Sequence, residues 1–249
     1  MNVIASYSIK GGVGKTATSV NLAYGLAHAG LYTLLIDLDP QSASSFYFRV
    51  RPAKGLKTQR FLRGKKRLLR YVRGSDYERL DILPAKLAYR KFDVLMERLK
   101  KSKSLLAKAI RVFQSEYDVV VLDAPAGISL LSENIFDAAD MVLVPVIPTT
   151  LSQRTYAQLL DFFKRFRYSK KKLVPFFSMV QGENDLHRET MQQMRASHCR
   201  FLDTAIPHSV EVERMGVRRE PVLKFAAQHE SAQAYRNLCR EVVHRLRAA

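Results

Sequence analysis

The chain has 249 residues, of which 47% are hydrophobic, and it carries 41 basic against 23 acidic side chains, a net charge of +18. This length predicts one α/β domain, and no apolar stretch reaches the roughly 18 residues that a membrane-spanning helix needs. Two cysteines, Cys199 and Cys239, are too few for a disulfide framework and stand too late in the chain for an iron–sulfur reductase. We therefore expect a protein of a reducing, cytosolic compartment.

Apolar runs alternate with helical patterns from one end of the chain to the other. Strands are expected at 3–8, 32–37, 80–84, 118–123, 141–146, 173–179 and 201–205. Helices are expected at 16–29, 87–101, 104–115, 129–138, 152–167, 185–197 and 230–247, and a basic, irregular stretch at 41–79. This alternation predicts a single α/β domain over 1–249, with a mostly parallel, twisted sheet and helices on both faces. Within it, the part at about 49–79 resembles a basic insertion.

The first predicted strand leads into a glycine-rich loop, Lys10-Gly-Gly-Val-Gly-Lys-Thr16. An ordinary phosphate loop reads Gly, any four residues, then Gly-Lys-Ser/Thr; here Ile9 stands at the first glycine position, and a second lysine, Lys10, follows it. Glycines let the backbone point its N–H groups at phosphate oxygens, and the helix that follows adds the positive end of its dipole. We expect Lys15 to contact the outer phosphates of a nucleotide and Thr16 to ligate Mg²⁺. The predicted nucleotide-binding residues of the loop are Lys10, Gly11, Gly12, Val13, Gly14, Lys15, Thr16 and Ala17.

Three aspartates follow buried strands further along the chain. Asp37 ends the strand at 32–37, Asp39 comes two residues later, and Asp123 ends the strand at 118–123. An open α/β sheet binds its ligands at the carboxyl ends of its parallel strands. One carboxylate there can orient water and another can hold Mg²⁺, so we expect these aspartates to share a site with the glycine-rich loop.

The positive charge is unevenly spread. Residues 49–111 hold 21 basic and 5 acidic side chains, residues 164–172 hold 6 basic and none acidic, and residues 112–163 hold 1 basic against 7 acidic. Such clustering indicates a polyanionic partner, with DNA as the first candidate. A solvated face that only aids solubility is the alternative. Between 49 and 73 arginines alternate with apolar residues, a pattern that would also suit an acidic lipid surface or an acidic protein.

Three motifs, Lys10–Thr16, Asp37-Leu-Asp-Pro-Gln41 and Asp123-Ala-Pro125, together resemble those of the deviant Walker ATPases of the ParA/MinD group. The ParA-type partition ATPases are the closest branch, and the resemblance runs nearly end to end. It implies a P-loop NTPase fold with ATP and Mg²⁺ as ligands. The chain departs from the group at Ala17, where a second threonine is common, and within 123–127, where many relatives have two consecutive prolines.

The resemblance also implies a role for each site residue. Lys10 would reach across a nucleotide-sandwich homodimer to the partner's phosphates, and Asp39 would position the attacking water. The predicted catalytic residues are Lys10, Lys15 and Asp39; those at or beside the metal are Thr16, Asp37 and Asp123; those near adenine are Met179 and Pro207.

In such a protein, ATP binding closes a homodimer that binds DNA nonspecifically, and hydrolysis, weak without a partner, releases the DNA. The cargo would be a plasmid, a chromosome or another large assembly, and a ParB-like or cargo adaptor would stimulate hydrolysis, in the cytoplasm and on the nucleoid. The candidate DNA-binding residues are Arg63, Lys65, Lys66, Arg67, Lys170, Lys171, Lys172, Arg214, Arg218, Arg219 and Lys224.

Two alternatives stay open. One is a MinD-like positioning ATPase that is directed to a membrane or a protein and does not act through DNA. The other is a metabolic ATPase of the same fold, such as a cobyrinate ligase. The helix at 230–247 follows Ala232-Gln-Ala-Tyr235, where the last helix of the fold belongs, so we expect it to pack on the core and expect no membrane partner.

Overall fold

Runs of apolar side chains form a sheet that is buried on both faces. In this computed structural model the described residues are 1–52, 61–62, 66–85, 92–97, 104–198 and 200–247. The strands are β1 (Asn2–Ser6), β2 (Thr33–Asp37), β3 (Arg73–Gly74), β4 (Leu80–Leu83), β5 (Val119–Asp123), β6 (Met141–Val146), β7 (Leu173–Val180) and β8 (Ala205–Pro207). Their order across the sheet is β3-β4-β2-β5-β1-β6-β7-β8. Neighbouring strands are parallel, except that β3 runs antiparallel to β4 at one edge.

Helices cover both faces of this sheet. They are α1 (Lys15–His28), α2 (Ala43–Tyr47), α3 (Phe92–Glu97), α4 (Leu105–Ile110), α5 (Leu130–Ala138), α6 (Thr150–Arg165), α7 (Asp185–Ser197), α8 (Val210–Arg218), α9 (Val222–Phe225) and α10 (Glu230–Arg247). Alternate residues of a strand point to opposite faces, so Ile4 and Leu35 pack with α1 and α8–α10, whereas Ala5 and Leu34 pack with α3–α7. The predicted architecture, α/β with a mostly parallel sheet between two helical layers, is confirmed.

The C-terminal half differs from the sequence prediction in two places. The strand expected at 201–205 is displaced to β8, because Phe201 and Leu202 are buried in the two cores before the chain joins the sheet. The prediction also misses α8 and α9. The first begins after Ser209, whose hydroxyl accepts a hydrogen bond from the N–H of Glu211 at 3.2 Å, and the second is one turn that follows Pro221.

The stretch at 41–79 was expected to be irregular, and its described residues form regular structure. They include α2, a 3₁₀ helix (Lys66–Tyr71) and β3, and the apolar side chains of Phe61, Leu62 and Leu68 are buried in the core. Residues 53–60 and 63–65 of this stretch lie outside the described residues. The helices expected at 87–101 and 104–115 correspond to α3 and to α4 with a 3₁₀ turn (Arg111–Phe113); 86–91 and 98–103 lie outside the described residues.

The terminal helix α10 packs on the core, as expected. Leu238 and Val242 are completely buried, and Val243 and Leu246 pack against the same cluster. In the part of the chain that the structure describes, no helix combines the length and the apolar character needed to cross a membrane.

Candidate functional site

The loop between β1 and α1 has the shape of an anion cradle. Gly12 and Gly14 have φ angles of +70° and +90°, in the left-handed region that favours glycine. A Cβ on Gly14 would lie 3.0 Å from Oγ of Ser178, whereas a Cβ on Gly11 or Gly12 would meet no atom within 4 Å. The loop therefore leaves open space beside its backbone N–H groups at the start of α1, as a bound phosphate requires.

Lys15 extends from the first turn of α1 into the loop. Its side chain is buried, and Nζ donates a hydrogen bond to the carbonyl oxygen of Lys10 at 3.2 Å. Burial lowers the pKa of Lys15, and attraction to the carboxylates of Asp123 and Asp39 opposes that shift. An ammonium group held this way, with a carbonyl as its hydrogen-bond partner, can bind a phosphate anion without first breaking an ion pair.

Lys10 lies at the entrance of the same loop and is half-buried. Its backbone N–H donates to Oγ of Ser8 at 3.3 Å, which fixes the backbone of the residue. Among the described residues, no carboxylate lies within 4.0 Å of its ammonium group. The charge of Lys10 is therefore available for an anion from outside this set of residues.

Asp37 and Asp123 are neighbours at the carboxyl ends of adjacent strands. They are register partners of β2 and β5, and both are completely buried. Asp37 Oδ2 accepts hydrogen bonds from the N–H and hydroxyl of Ser45 at 2.9 and 2.6 Å, and Oδ1 accepts from the N–H of Asp39 at 3.2 Å. Asp123 Oδ1 accepts from the hydroxyl of Ser19 at 3.0 Å, while its Oδ2 has no hydrogen-bond partner among the described residues.

Burial shifts the acidity of this carboxylate pair. It raises the pKa of Asp123 to about 7, with the negative charge of Asp37 adding to the shift and the hydroxyls of Ser19, Ser44 and Thr16 opposing it. Burial likewise raises the pKa of Asp37, against the hydrogen bonds from Ser45. Two carboxylates this close are not both ionised easily unless a cation joins them.

The same residues fit a magnesium ion. Magnesium prefers hard oxygen ligands, and Asp123 Oδ2 is a buried oxygen that accepts no hydrogen bond from the part of the chain that the structure describes. Thr16 lies at the start of α1, and its hydroxyl lowers the pKa of the Asp123 carboxyl group. Both oxygens of Asp37 already accept hydrogen bonds, so this residue fits a place behind the metal ligands rather than among them. Thr16 and Asp123 would hold the ion, with Asp37 supporting them.

Asp39 lies two residues beyond β2 and is half-buried. Its Oδ1 accepts a hydrogen bond from the N–H of Gln41 at 2.9 Å, and its charge acts on Lys15. The structure thus brings Asp39 to the loop, as the sequence predicts, and its role with water stays a prediction.

One of the two predicted adenine contacts, Pro207, borders a cavity of about 330 Å³. Pro207 lines this cavity together with Val180, Gln181, Gly182, Ala205, His208 and Glu230. Met179 is not among the lining residues; it has a φ of +55° at the end of β7, and the residue before it, Ser178, approaches Gly14 of the loop. The segment after Met179, rather than Met179 itself, forms a wall of this cavity.

Sequence reasoning did not single out the hydroxyls that orient the carboxylates. The hydroxyl of Ser19 shares its single proton between the carbonyl oxygen of Lys15, at 3.1 Å, and Asp123 Oδ1, at 3.0 Å. Its position four residues after Lys15, on the same helix face, could have indicated it. Ser45 carried no such signal, because its contact with Asp37 depends on how the chain folds back after β2.

The candidate DNA-binding residues do not share one environment. Arg63 and Lys65 lie outside the described residues, and only the backbone of Lys66 and Arg67 is described. Lys170 and Lys171 are exposed in a 3₁₀ helix (Lys170–Lys172) that leads into the amino end of β7. Arg214, Arg218, Arg219 and Lys224 belong instead to the connection after the carboxyl end of β8.

Three of these residues already have partners within the molecule. Lys172 donates hydrogen bonds from Nζ to the carbonyls of Phe136 and Asp137, at 3.0 and 3.3 Å, and so caps the end of α5. Arg214 forms an ion pair with Glu211. The guanidinium of Arg219 lies over the ring of Phe46, 4.5 Å from its centroid. Arg218 and Lys224 are exposed.

Comparisons with known proteins agree with this geometry. The family model described as "AAA domain" matches residues 1–175, which contain the loop and all three aspartates. The chain is 28% identical over 241 residues to the chromosome-partitioning ATPase Soj of Treponema pallidum, covering 95% of this chain and 94% of that protein. It is also 28% identical over 255 residues to the chromosome partitioning protein ParA of Caulobacter vibrioides, covering 99% and 96%.

Among solved structures, cobyrinic acid a,c-diamide synthase from Mycobacterium smegmatis, crystallised with a bound ATP analog and magnesium, has the same fold. The TM-score is 0.81 and the identity 22%, over 99% of this chain and 96% of that one. The expected P-loop NTPase fold is therefore confirmed. Since the family model covers well over half of the chain and includes the loop with its two lysines, this protein belongs to the AAA domain family, as a P-loop ATPase of the ParA/MinD group.

Proposed function

We propose that this protein is an ATP-dependent molecular switch for the partition or positioning of a plasmid, a chromosome or another large cargo. It binds ATP with Mg²⁺, closes as a homodimer, binds DNA nonspecifically and releases it on hydrolysis. The relatives named as partitioning proteins support this proposal, as does the solved fold relative with an ATP analog and magnesium. All of 1–249 acts as one ATPase domain, with about 49–79 as a basic insertion.

The observation that carries the proposal is the free charge of Lys10 at the entrance of the cradle. Lys10 lies half-buried at that entrance, and among the described residues no carboxylate lies within 4.0 Å of its ammonium group, which leaves its charge for an anion that a second copy brings. A charge-assisted contact with the phosphates of a second copy would contribute roughly 1.5–3 kcal/mol to the dimer. Dimer formation would then depend on the nucleotide.

Apolar side chains on the same edge of the sheet support a face-to-face dimer. Ile128, Leu151, Leu186 and Val210 follow the carboxyl ends of β5, β6, β7 and β8, and they are 46–63% exposed. Their burial against a second copy would add a hydrophobic contribution around the charged cradle.

Each site residue then has a place in hydrolysis. Lys15 and Lys10 stabilise the charge that develops on the phosphates, and Asp39 orients the attacking water. Thr16 and Asp123 would hold the magnesium ion, which would supply positive charge to the phosphates. We expect slow turnover without a partner, and a ParB-like or cargo adaptor that accelerates it on the nucleoid, in the cytoplasm.

Light scattering tests the dimer. Wild-type protein that is saturated with a non-hydrolysable ATP analogue and Mg²⁺ should be a dimer, whereas Lys10→Ala should bind the analogue and stay monomeric. Lys108→Ala, which removes an exposed lysine of α4, is the matched control and should dimerise normally. A wild-type monomer at saturating nucleotide would overturn the proposal.

A gel shift with random-sequence duplex, with and without ATP, tests the DNA step. If about six phosphates are neutralised, affinity should fall with a log–log salt slope of about −5. ATP-dependent binding to acidic vesicles in place of DNA would favour the membrane-directed alternative. ATP turnover that requires a small-molecule acceptor would favour a metabolic ATPase.

A further inference from the structure

The short helix α2 lies between the carboxylate pair and the basic C-terminal connection. Ser45 of this helix donates two hydrogen bonds to Asp37, at 2.9 and 2.6 Å. The next residue, Phe46, holds Arg219: the guanidinium lies 4.5 Å from the ring centroid, and Nε donates to the Phe46 carbonyl oxygen at 3.0 Å. Adjacent residues of one helix thus contact the metal-side carboxylate and an arginine 173 positions further along the chain.

Arg219 is held in an unusual backbone conformation. It ends α8 with φ +54° and ψ +47°, in the left-handed region that side chains other than glycine rarely adopt. Residues in that region persist when surrounding contacts impose it, and here the contacts come from Phe46. The side chain of Arg219 is half-buried, unlike its exposed neighbour Arg218. Its guanidinium is therefore engaged within the molecule.

Three further contacts attach the same turn to the rest of the site. Arg49, just after α2, forms an ion pair with Glu220 at 3.5 Å. Asn21, buried in α1, accepts a hydrogen bond from the N–H of Leu223 at 3.2 Å and donates one to the sulfur of Met215 at 3.3 Å. The turn between α8 and α9 is therefore attached both to α1, which begins at the phosphate cradle, and to α2, whose Ser45 hydrogen-bonds to Asp37.

We propose that Arg219 is a positioning residue, not a DNA contact, and that its stack on Phe46 couples the nucleotide site to helix α8 and its exposed Arg218. The inference rests on the proposed function, because it concerns how ATP changes DNA affinity. A five-residue helix moves as one unit, so a displacement of Ser45 when metal or nucleotide fills the site in front of Asp37 also displaces Phe46. Arg219 and the end of α8 follow, and the exposed Arg218 moves with them.

Substitution of Phe46 separates coupling from DNA contact. The quantity measured is the ratio of the Kd values for random duplex DNA without and with a non-hydrolysable ATP analogue, across a salt series. Phe46 has no charge to offer a phosphate, yet Phe46→Ala should shrink this ratio by about threefold, within the range of a cation–π contact, and leave the salt slope unchanged. Arg219→Ala should do the same, and the double variant should add little.

Phe166 offers a matched control. It is another exposed phenylalanine with an arginine over its ring, Arg165 at 5.7 Å, at the end of α6. Phe166→Ala should leave the ratio as in the wild type. The inference is overturned if Phe46→Ala also leaves the Kd ratio unchanged. It is equally overturned if Arg219→Ala reduces the magnitude of the salt slope by about 0.9, which is the mark of a lost phosphate contact.

Hydrogen exchange provides a readout that does not need DNA. In the wild type, the ATP analogue with Mg²⁺ should change amide protection in α8 and α9, and in Phe46→Ala that change should disappear, while protection in α1 still responds to nucleotide. An equal response of α8 and α9 in both proteins would refute the coupling. A wild-type protein that shows this response but no ATP-dependent DNA binding would refute the proposed function and leave the coupling supported.

Discussion

The buried carboxylate of Asp123 gives this protein an unusual dependence of stability on pH. The perturbation is Asp123→Asn, which keeps the shape of the side chain and an oxygen that can accept from Ser19. In the wild type, burial raises the Asp123 pKa from 3.8 to about 7. Between those two values the folded chain binds one proton more than the unfolded chain, so the free energy of unfolding falls as pH rises. Asparagine cannot ionise, so the free energy of unfolding of the variant does not fall in this way as pH rises.

The size of the effect follows from the width of the window. From pH 5 to pH 7 the wild type loses up to about 1.4 kcal/mol per pH unit through this group, and the total is roughly 2 kcal/mol because the slope halves at the pKa. Solvent screening does not reduce the effect, since Asp123 is completely buried. Removal of the Asp123 charge also removes a repulsion on Asp37, whose pKa is raised as well. This second effect likewise favours the variant over the wild type at high pH.

Urea unfolding in EDTA at pH 5 and pH 8 measures the difference directly. The gap in unfolding free energy between Asp123→Asn and the wild type should widen by roughly 3 kcal/mol at the higher pH, in favour of the variant. Added Mg²⁺ should recover part of the wild-type stability at pH 8 and should do little for the variant. A gap that stays constant with pH would mean that Asp123 is not a buried, proton-binding carboxyl group.

Two further substitutions test contacts away from the metal side. Gly25→Ala in α1 would place its Cβ 2.6 Å from the sulfur of Cys239, so unfolding in urea should show a loss of about 1–3 kcal/mol, although alanine alone favours a helix by about 1 kcal/mol. A more stable Gly25→Ala protein would contradict the close approach of α1 and α10. Lys172→Ala should cost about 1 kcal/mol of stability through its lost caps on α5 and leave the salt slope of DNA binding unchanged, with exposed Lys171→Ala as the control for charge. A lower slope for Lys172→Ala alone would instead identify Lys172 as a phosphate contact.

Short-range features of this protein could be predicted from the sequence because they depend on neighbouring residues. The glycines of the loop, the strand before it and the helix after it are local choices of backbone conformation. The sheet with helices on both faces follows equally from alternating apolar runs. Errors arose where long-range packing decides: Phe201 and Leu202 read as a strand, but the cores bury them ahead of β8.

The amino-acid sequence by itself determined the cradle, its two lysines and the strand-end aspartates, because each motif lies within a few consecutive residues. The shared site of Asp37 and Asp123 was predicted, but only the tertiary structure made them register partners, since that requires β2 to pair with β5 in one register. The tertiary structure also decided that Arg219 stacks on Phe46 and that Lys172 caps α5. Two side chains that were predicted to contact DNA thus have partners within the molecule. Such contacts join residues that are far apart in the chain, and they form only when the helices pack on the sheet.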